Sequence, residues 1–465
     1  MPRPQPPVVV VPGITATNLR DEYPVDPEGV WGMVRKSWER IQLHPDDVRW
    51  EQREPARVRA DAVFGFPYGD LVEELRHDLS EAADEPVPVY PFAYDWRQPL
   101  DAVEADLALF VEEVVARTTL LRHYHAAGYA ARRGQVDLVG HSMGGLVIAG
   151  YLQRTAGKHV RKVATLGTPF RGSFEAALKI VTGQAELPGD AQSREREAAR
   201  LTPSLYHLLP RYRGAVTADG ELGVDLFRAA TWQASVVRTL AEQIRMHGLE
   251  GSGRDADELL PAARELLQRL LTQASGHRTR VGNLGLSAVG LTRDDWLAVV
   301  GLGEETRVHL HIGVGPDGGP WFDLRSADRK NGYPGGTPDS SGGSGGGGAG
   351  DAPARPVDTG DGTVPYEAAV PAFLGPENVV GVTDDDFGYW ELRDRLLARG
   401  VAGRHASLHT LLPAMNVVQK LVACHLKGEA GGKGTAHGGV WGRRAPDLAP
   451  DAPWKPPLEG LREKR

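Results

Sequence analysis

Residues 138 to 145 read LVGHSMGG, an apolar run that stops abruptly on a serine held between glycines. An apolar stretch of this length, bounded by glycines, reads as a buried strand. The pentapeptide Gly140-His141-Ser142-Met143-Gly144 fits G-x-S-x-G, and the apolar GLVIAGYLQR that follows reads as a helix. A chain that passes from buried strand to helix within so few residues must turn sharply, and the serine at the apex must take a strained backbone. Flanking glycines make that turn passable because they carry no Cβ to clash. Such a turn lifts the Ser142 hydroxyl above the sheet edge, and the new helix start brings backbone N–H groups beside it. Ser142 is therefore read as a nucleophile, which needs a base, an acid and donors for a developing negative charge.

The surrounding pattern fits a mostly parallel sheet covered on both faces. Val8 to Val11 form a β-branched run closed by Pro12-Gly13, and VPVYPFAYDW (87–96) is a second strand weakened by its prolines. Residues 101–122 carry apolar positions at helical spacing, 135–140 is a third strand, 145–154 a helix, and 161–170 a further strand. After Gly172 the alternation stops. Two amphipathic segments, 225–244 and 255–271, read as a helical cap inserted into the sheet domain. The expected division is core over 1–172, cap over 173–300, a return to the core over 301–334 that includes the strand TRVHLHIGV (306–314), and a disordered glycine-rich loop over 335–356. A second part of the core then spans 357–427, with a strand in ENVVGV (377–382) and one helix over 405–426, before an irregular tail over 428–465.

Composition narrows the function classes. A formal net charge of -8, without a basic stripe, argues against nucleic acid. The single cysteine, Cys424, leaves no internal disulfide and no case for an oxidising compartment. No segment has signal-peptide character or approaches the roughly 18 apolar residues of a spanning helix, so a cytoplasmic protein is expected, with peripheral contact with lipid left open. The pairs His123/His125 and His309/His311 lack further ligands nearby in sequence, so no metal is expected.

A serine turn of this kind occurs in α/β-hydrolases, where the acid and then the histidine follow the serine along the chain. Among 15 histidines the late ones are therefore favoured. His405 follows Gly403-Arg404 in the loop before an apolar helix, where its ring reaches the sheet edge, and it is the expected base. His409, one turn into that helix, is assigned to the helix surface, with His425 behind it. DTGDGTVP (358–365) offers the acid: Asp361, followed by Gly362, presents its carboxylate from a tight turn, with Asp358 in reserve. The oxyanion donors are expected from the Met143 backbone N–H and from Ile14, since Gly13 lets that loop approach the serine. His141, inside the turn, points away from the hydroxyl and is assigned to packing around it. Tyr94 and Trp96 are pocket residues, Asp95 and Arg97 a structural ion pair, and Thr168 to Gly172 the shapers of the cap entrance.

Several segments taken together resemble the lecithin:cholesterol acyltransferase-like branch of the α/β-hydrolases. They are VVVVPGITATNL, YPFAYDWRQP, VDLVGHSMGGLV, VATLGTPFRGS, LTPSLYHLLP, GDGTVP and HASLHTLLPA, in the family's order over residues 8 to about 426. The resemblance implies an α/β-hydrolase fold with a cap, a Ser142–Asp361–His405 triad, and Ile14 and Met143 amides as oxyanion hole. It further implies transfer or hydrolysis of fatty acyl groups from lipid esters through an acyl-serine, without a cofactor. The chain departs from the secreted animal members in lacking a disulfide-closed lid and a signal peptide, and its glycine-rich loop has no counterpart. A lipid or other hydrophobic ester is the expected substrate, and the sequence points to no protein partner. General carboxylesterase, thioesterase or amidase activity on the same machinery, and a catalytically silent binding protein, are the competing readings.

Overall fold

The computed structural model describes residues 4–183, 192–324, 329–330, 360–374, 379–386 and 407–428. At its centre lie six parallel strands: β1 (Val8–Val11), β2 (Val89–Pro91), β3 (Val136–His141), β4 (Val160–Leu166), β5 (Trp296–Gly301) and β6 (Val379–Val382). Their spatial order is β6-β5-β4-β3-β1-β2, every neighbouring pair parallel.

Residues in β1, β3, β5 and β6 are buried throughout, as a sheet covered on both faces requires. Alternate side chains divide between two apolar layers. Val9, Val11, Leu138 and Val300 enter the layer built with helices α2 (Leu100–Thr119) and α3 (Met143–Thr155). Val8, Val10, Val139 and Val299 enter the layer built with α1 (Gly65–Leu79) and α8 (Asn416–Lys427). The molecule is thus an α/β-hydrolase-like sandwich with added helical segments.

The added segments include α4 (Pro203–His207), α5 (Ala234–His247) and α6 (Leu260–Gly282). A buried ion cluster anchors α6 to the core. His277 Nε2 lies 2.8 Å and Arg280 Nη2 3.0 Å from the fully buried Glu104 carboxylate of α2. The anchor exists because Gly150 of α3 leaves that carboxylate its space.

Two expectations about strands are corrected. The strand that returns to the central sheet is WLAVVG (296–301); the expected strand over 306–314 becomes Thr306–Arg307 and Leu310–Val314, outside that sheet. Leu310–Val314 pairs with Val216–Ala218 and Pro320–Asp323 in a small sheet, and its alternating burial suits that half-exposed position. The helix expected over 405–426 is also broken. Pro413 has no N–H and cannot sit inside a helix, so α7 (Leu408–Leu411) runs into a 3-10 turn before α8 begins. The glycine-rich stretch 335–356, the reserve acid Asp358 and the tail from 429 lie outside the described residues.

Candidate active site

Ser142 sits between β3 and α3 with φ 52° and ψ −127°, a conformation rarely open to a residue with a side chain. Packing enforces the turn. A Cβ on Gly144 would come 2.1 Å from the Val11 carbonyl oxygen, and one on Gly140 would come 2.8 Å from the Gly145 nitrogen. Met143 is the first residue of α3, so the backbone N–H after the serine belongs to a helix start.

The Ser142 hydroxyl donates to His409 Nε2 at 2.9 Å, and His409 Nδ1 donates to Asp361 Oδ2 at 2.7 Å. All three residues are buried, Asp361 at 1% exposure. The second oxygen of Asp361 accepts the N–H groups of Thr363 (3.1 Å) and Val364 (2.7 Å), which fixes the carboxylate plane. The Asp361 carbonyl accepts the His409 N–H at 2.9 Å, so the two residues are joined through backbone as well as side chain.

The imidazole at the serine is therefore His409, and its assignment to the helix surface is corrected: it is 7% exposed. Its neighbours Leu408, Leu411 and Leu412 are buried, and they turn α7 inward. His405, the base expected from sequence, lies outside the described residues; His409 already makes both hydrogen bonds assigned to it. His425 lies elsewhere, bonded at Nε2 to the Val163 carbonyl (3.1 Å).

His141 does point away from the hydroxyl. Its Nε2 donates to the His409 carbonyl at 2.8 Å, and its Nδ1 accepts from the Tyr68 hydroxyl at 2.6 Å. Tyr68 in turn accepts the Gly13 N–H at 2.9 Å. The carbonyl can only accept and the amide can only donate, so every proton in this chain of bonds is assigned. Burial, reinforced by the nearby His409, depresses the His141 pKa to about 3 and keeps the ring neutral. Tyr68, in α1, carries no sequence signal.

Gly13 brings the loop after β1 against the serine: a Cβ there would lie 3.0 Å from Ser142 Cβ. Ile14 follows it in that loop. The Tyr94 hydroxyl donates to the Pro12 carbonyl at 2.8 Å, and Trp96 packs on Trp31, whose indole donates to the Thr15 carbonyl. Both aromatic residues are buried and brace this loop. Arg97 is 1% exposed and pairs with Asp95 (2.7 Å) and Glu51 (2.9 Å). The Thr168–Gly172 segment meets the cap, where Arg278 of α6 donates to the Pro169 carbonyl at 3.1 Å. His309 and His311 both contact the Thr217 hydroxyl. Among the described residues no group of three or more His, Cys, Asp or Glu could hold a metal ion, and no helix is long and apolar enough to cross a membrane.

The family model for lecithin:cholesterol acyltransferase matches residues 82–237 of this chain. That span holds Ser142 but neither Asp361 nor His409. No curated protein matches the sequence. Among solved structures, a chain of the Tle4–Tli4 complex is similar in fold, with a TM-score of 0.58 at 16% identity over 91% of this chain and 98% of that one. The Bacillus licheniformis lipase BlEst2 in mature form overlaps with a TM-score of 0.25 at 19% identity, over 45% of this chain and 57% of that one. The product of gene lin2722 from Listeria innocua gives 0.19 at 13% identity, over 57% and 92%. These last two scores are too low to bear on the fold. The chain has an α/β-hydrolase-like fold and, over one segment, sequence similarity to lecithin:cholesterol acyltransferase.

Proposed function

We propose that this protein is a serine acyl hydrolase or O-acyltransferase acting on lipid or other hydrophobic esters. The observation that carries the reading is the bond sequence from Ser142 hydroxyl to His409 imidazole to Asp361 carboxylate, on a serine held at positive φ. A hydroxyl is a weak nucleophile until a base takes its proton. In the proposed reaction Ser142 Oγ attacks the ester carbonyl carbon while His409 Nε2 accepts the hydroxyl proton. Asp361 holds the ring with Nδ1 protonated and stabilises the imidazolium. The backbone N–H groups of Met143 and Ile14 are assigned to the oxyanion. As the tetrahedral species collapses, His409 returns the proton to the leaving alcohol and an acyl-serine remains. Water or an acceptor alcohol, deprotonated by the same ring, then releases the acyl group. No cofactor enters this scheme.

The partial match to an acyltransferase family supports acyl chemistry, and the helical segments over the core support an apolar acyl site. The test is hydrolysis of p-nitrophenyl esters of increasing chain length, with and without glycerol as acceptor, by wild type and Ser142→Ala. Activity that rises toward medium and long chains and vanishes in Ser142→Ala is expected. Activity that survives the substitution would overturn the reading, and a flat chain-length profile would remove the lipid substrate.

A further inference from the structure

The acid and the base lie on separate segments, and one further side chain touches both. Glu304 follows β5 by three residues. Its backbone N–H donates to the Gly360 carbonyl at 3.1 Å, and this bond holds the loop that carries Asp361. Its carboxylate Oε1 accepts the Leu408 N–H at 3.0 Å, one residue before His409. That amide opens α7 and has no partner within the helix, and Ser407, at the N-cap position, makes no side-chain capping bond. The other carboxylate oxygen lies against Gly362, where a Cβ would meet it at 2.6 Å. Thr306, two residues on, donates its hydroxyl to the Glu304 carbonyl (2.9 Å) and accepts the Gly362 N–H (2.9 Å), closing the same seam.

Resting on the function proposed above, we infer that Glu304 is a positioning residue that locks His409 against Asp361 and adds a second carboxylate charge beside the imidazole. Among the described residues, the charged and titratable groups facing it are Asp361 from the acid loop, Asp384 from the turn after β6, and His409 from α7. Burial is the chief influence on the Glu304 carboxyl. The Leu408 N–H partly offsets it, the charges of Asp361 and Asp384 add to it, and the carboxyl is pushed up to about 7. Near neutrality Glu304 therefore loses its proton as pH rises. Its negative charge then favours the imidazolium that forms when His409 takes the serine proton, and it also raises the pH at which the resting ring becomes neutral.

The test compares pH profiles of kcat and kcat/KM on one p-nitrophenyl ester for wild type, Glu304→Gln and Glu304→Ala. Glutamine keeps an acceptor for Leu408 and loses the charge, so the acidic limb of its kcat/KM profile should move down by about half a pH unit. Alanine loses both, so its kcat should fall about tenfold across the profile with KM within about twofold of wild type. An acidic limb in Glu304→Gln that coincides with wild type, or moves to higher pH, overturns the electrostatic role. An unchanged kcat in Glu304→Ala overturns the positioning role. Labelling of Ser142 by a fluorophosphonate separates this inference from the one it rests on: a wild type that is never labelled refutes the serine mechanism, whereas a labelled wild type with three coincident profiles refutes only the role of Glu304.

Discussion

The two halves of the site are built by different means. The half that holds Ser142, the proposed nucleophile, is continuous in sequence: β3, the turn and α3 occupy residues 136–155, and the glycines there leave no alternative packing. The half proposed to supply acid and base is assembled from Glu304, Asp361 and His409, which are distant in sequence and meet only in the fold, and hydrogen bonds from backbone amides fix it. Sterics define the first half and polar satisfaction the second. The Tyr68–His141 bridge couples them, because one end holds Gly13 beside the serine and the other holds the His409 carbonyl.

This contrast can be broken in graded steps. Removing the proposed nucleophile in Ser142→Ala should lower ester turnover by about ten-thousand-fold while leaving the fold intact, because alanine keeps the Cβ and loses the hydroxyl with its bond to His409. Residual turnover near wild type would mean that the strained serine is structural. Gly144→Val should act the other way. Its side chain would collide with the Val11 carbonyl, so stability should fall by about 1–3 kcal/mol or more, measured as the shift in denaturant midpoint. A neutral result would show that the turn is not set by packing.

Tyr68→Phe sharpens the comparison, since it severs the bridge without replacing a residue of either half. The Gly13 N–H and His141 Nδ1 lose their partner, each worth about 1–3 kcal/mol if left unmet. We expect kcat to fall about tenfold with KM nearly constant. A rise in KM alone would place Tyr68 at the substrate instead. The smallest effect is in pH-dependent stability. His141 takes up a proton near 6.5 when unfolded but only near 3 when folded, so between those values the unfolded chain binds more protons. Its contribution to stability is complete above about pH 6.5 and declines as the pH falls toward 3. Thermal melts of His141→Gln should therefore show a shallower loss between pH 7 and pH 5 than wild type; parallel curves would show that the ring is not held neutral by burial.

The same division governs what the sequence made legible. The strand, turn and helix around Ser142 are readable because every determinant is local: β-branched run, glycine spacing, apolar helix. Asp361, the proposed acid, carries a local signal too, the Asp-Gly turn that aims its carboxylate. The imidazole beside Ser142 carries no such signal, because His405 and His409 are four residues apart and the inward rotation of α7, set by Leu408, Leu411 and Leu412 against the sheet, is not local to either. Glu304 and Tyr68 carry no pattern of their own, since each acts through a backbone amide distant in sequence. WLAVVG, a central strand, looked like the end of the cap because a short apolar run has no period to identify it, whereas the alternating 306–314 segment was more conspicuous and lies in a smaller sheet.

The central claim is that His409 activates Ser142, and the rate of fluorophosphonate labelling tests it most directly because that reaction needs only the hydroxyl and its base. Labelling should slow by about a thousandfold or more in His409→Ala and stay within about threefold of wild type in His405→Ala. The reverse order, with His405→Ala silent and His409→Ala labelled at the wild-type rate, would contradict the account.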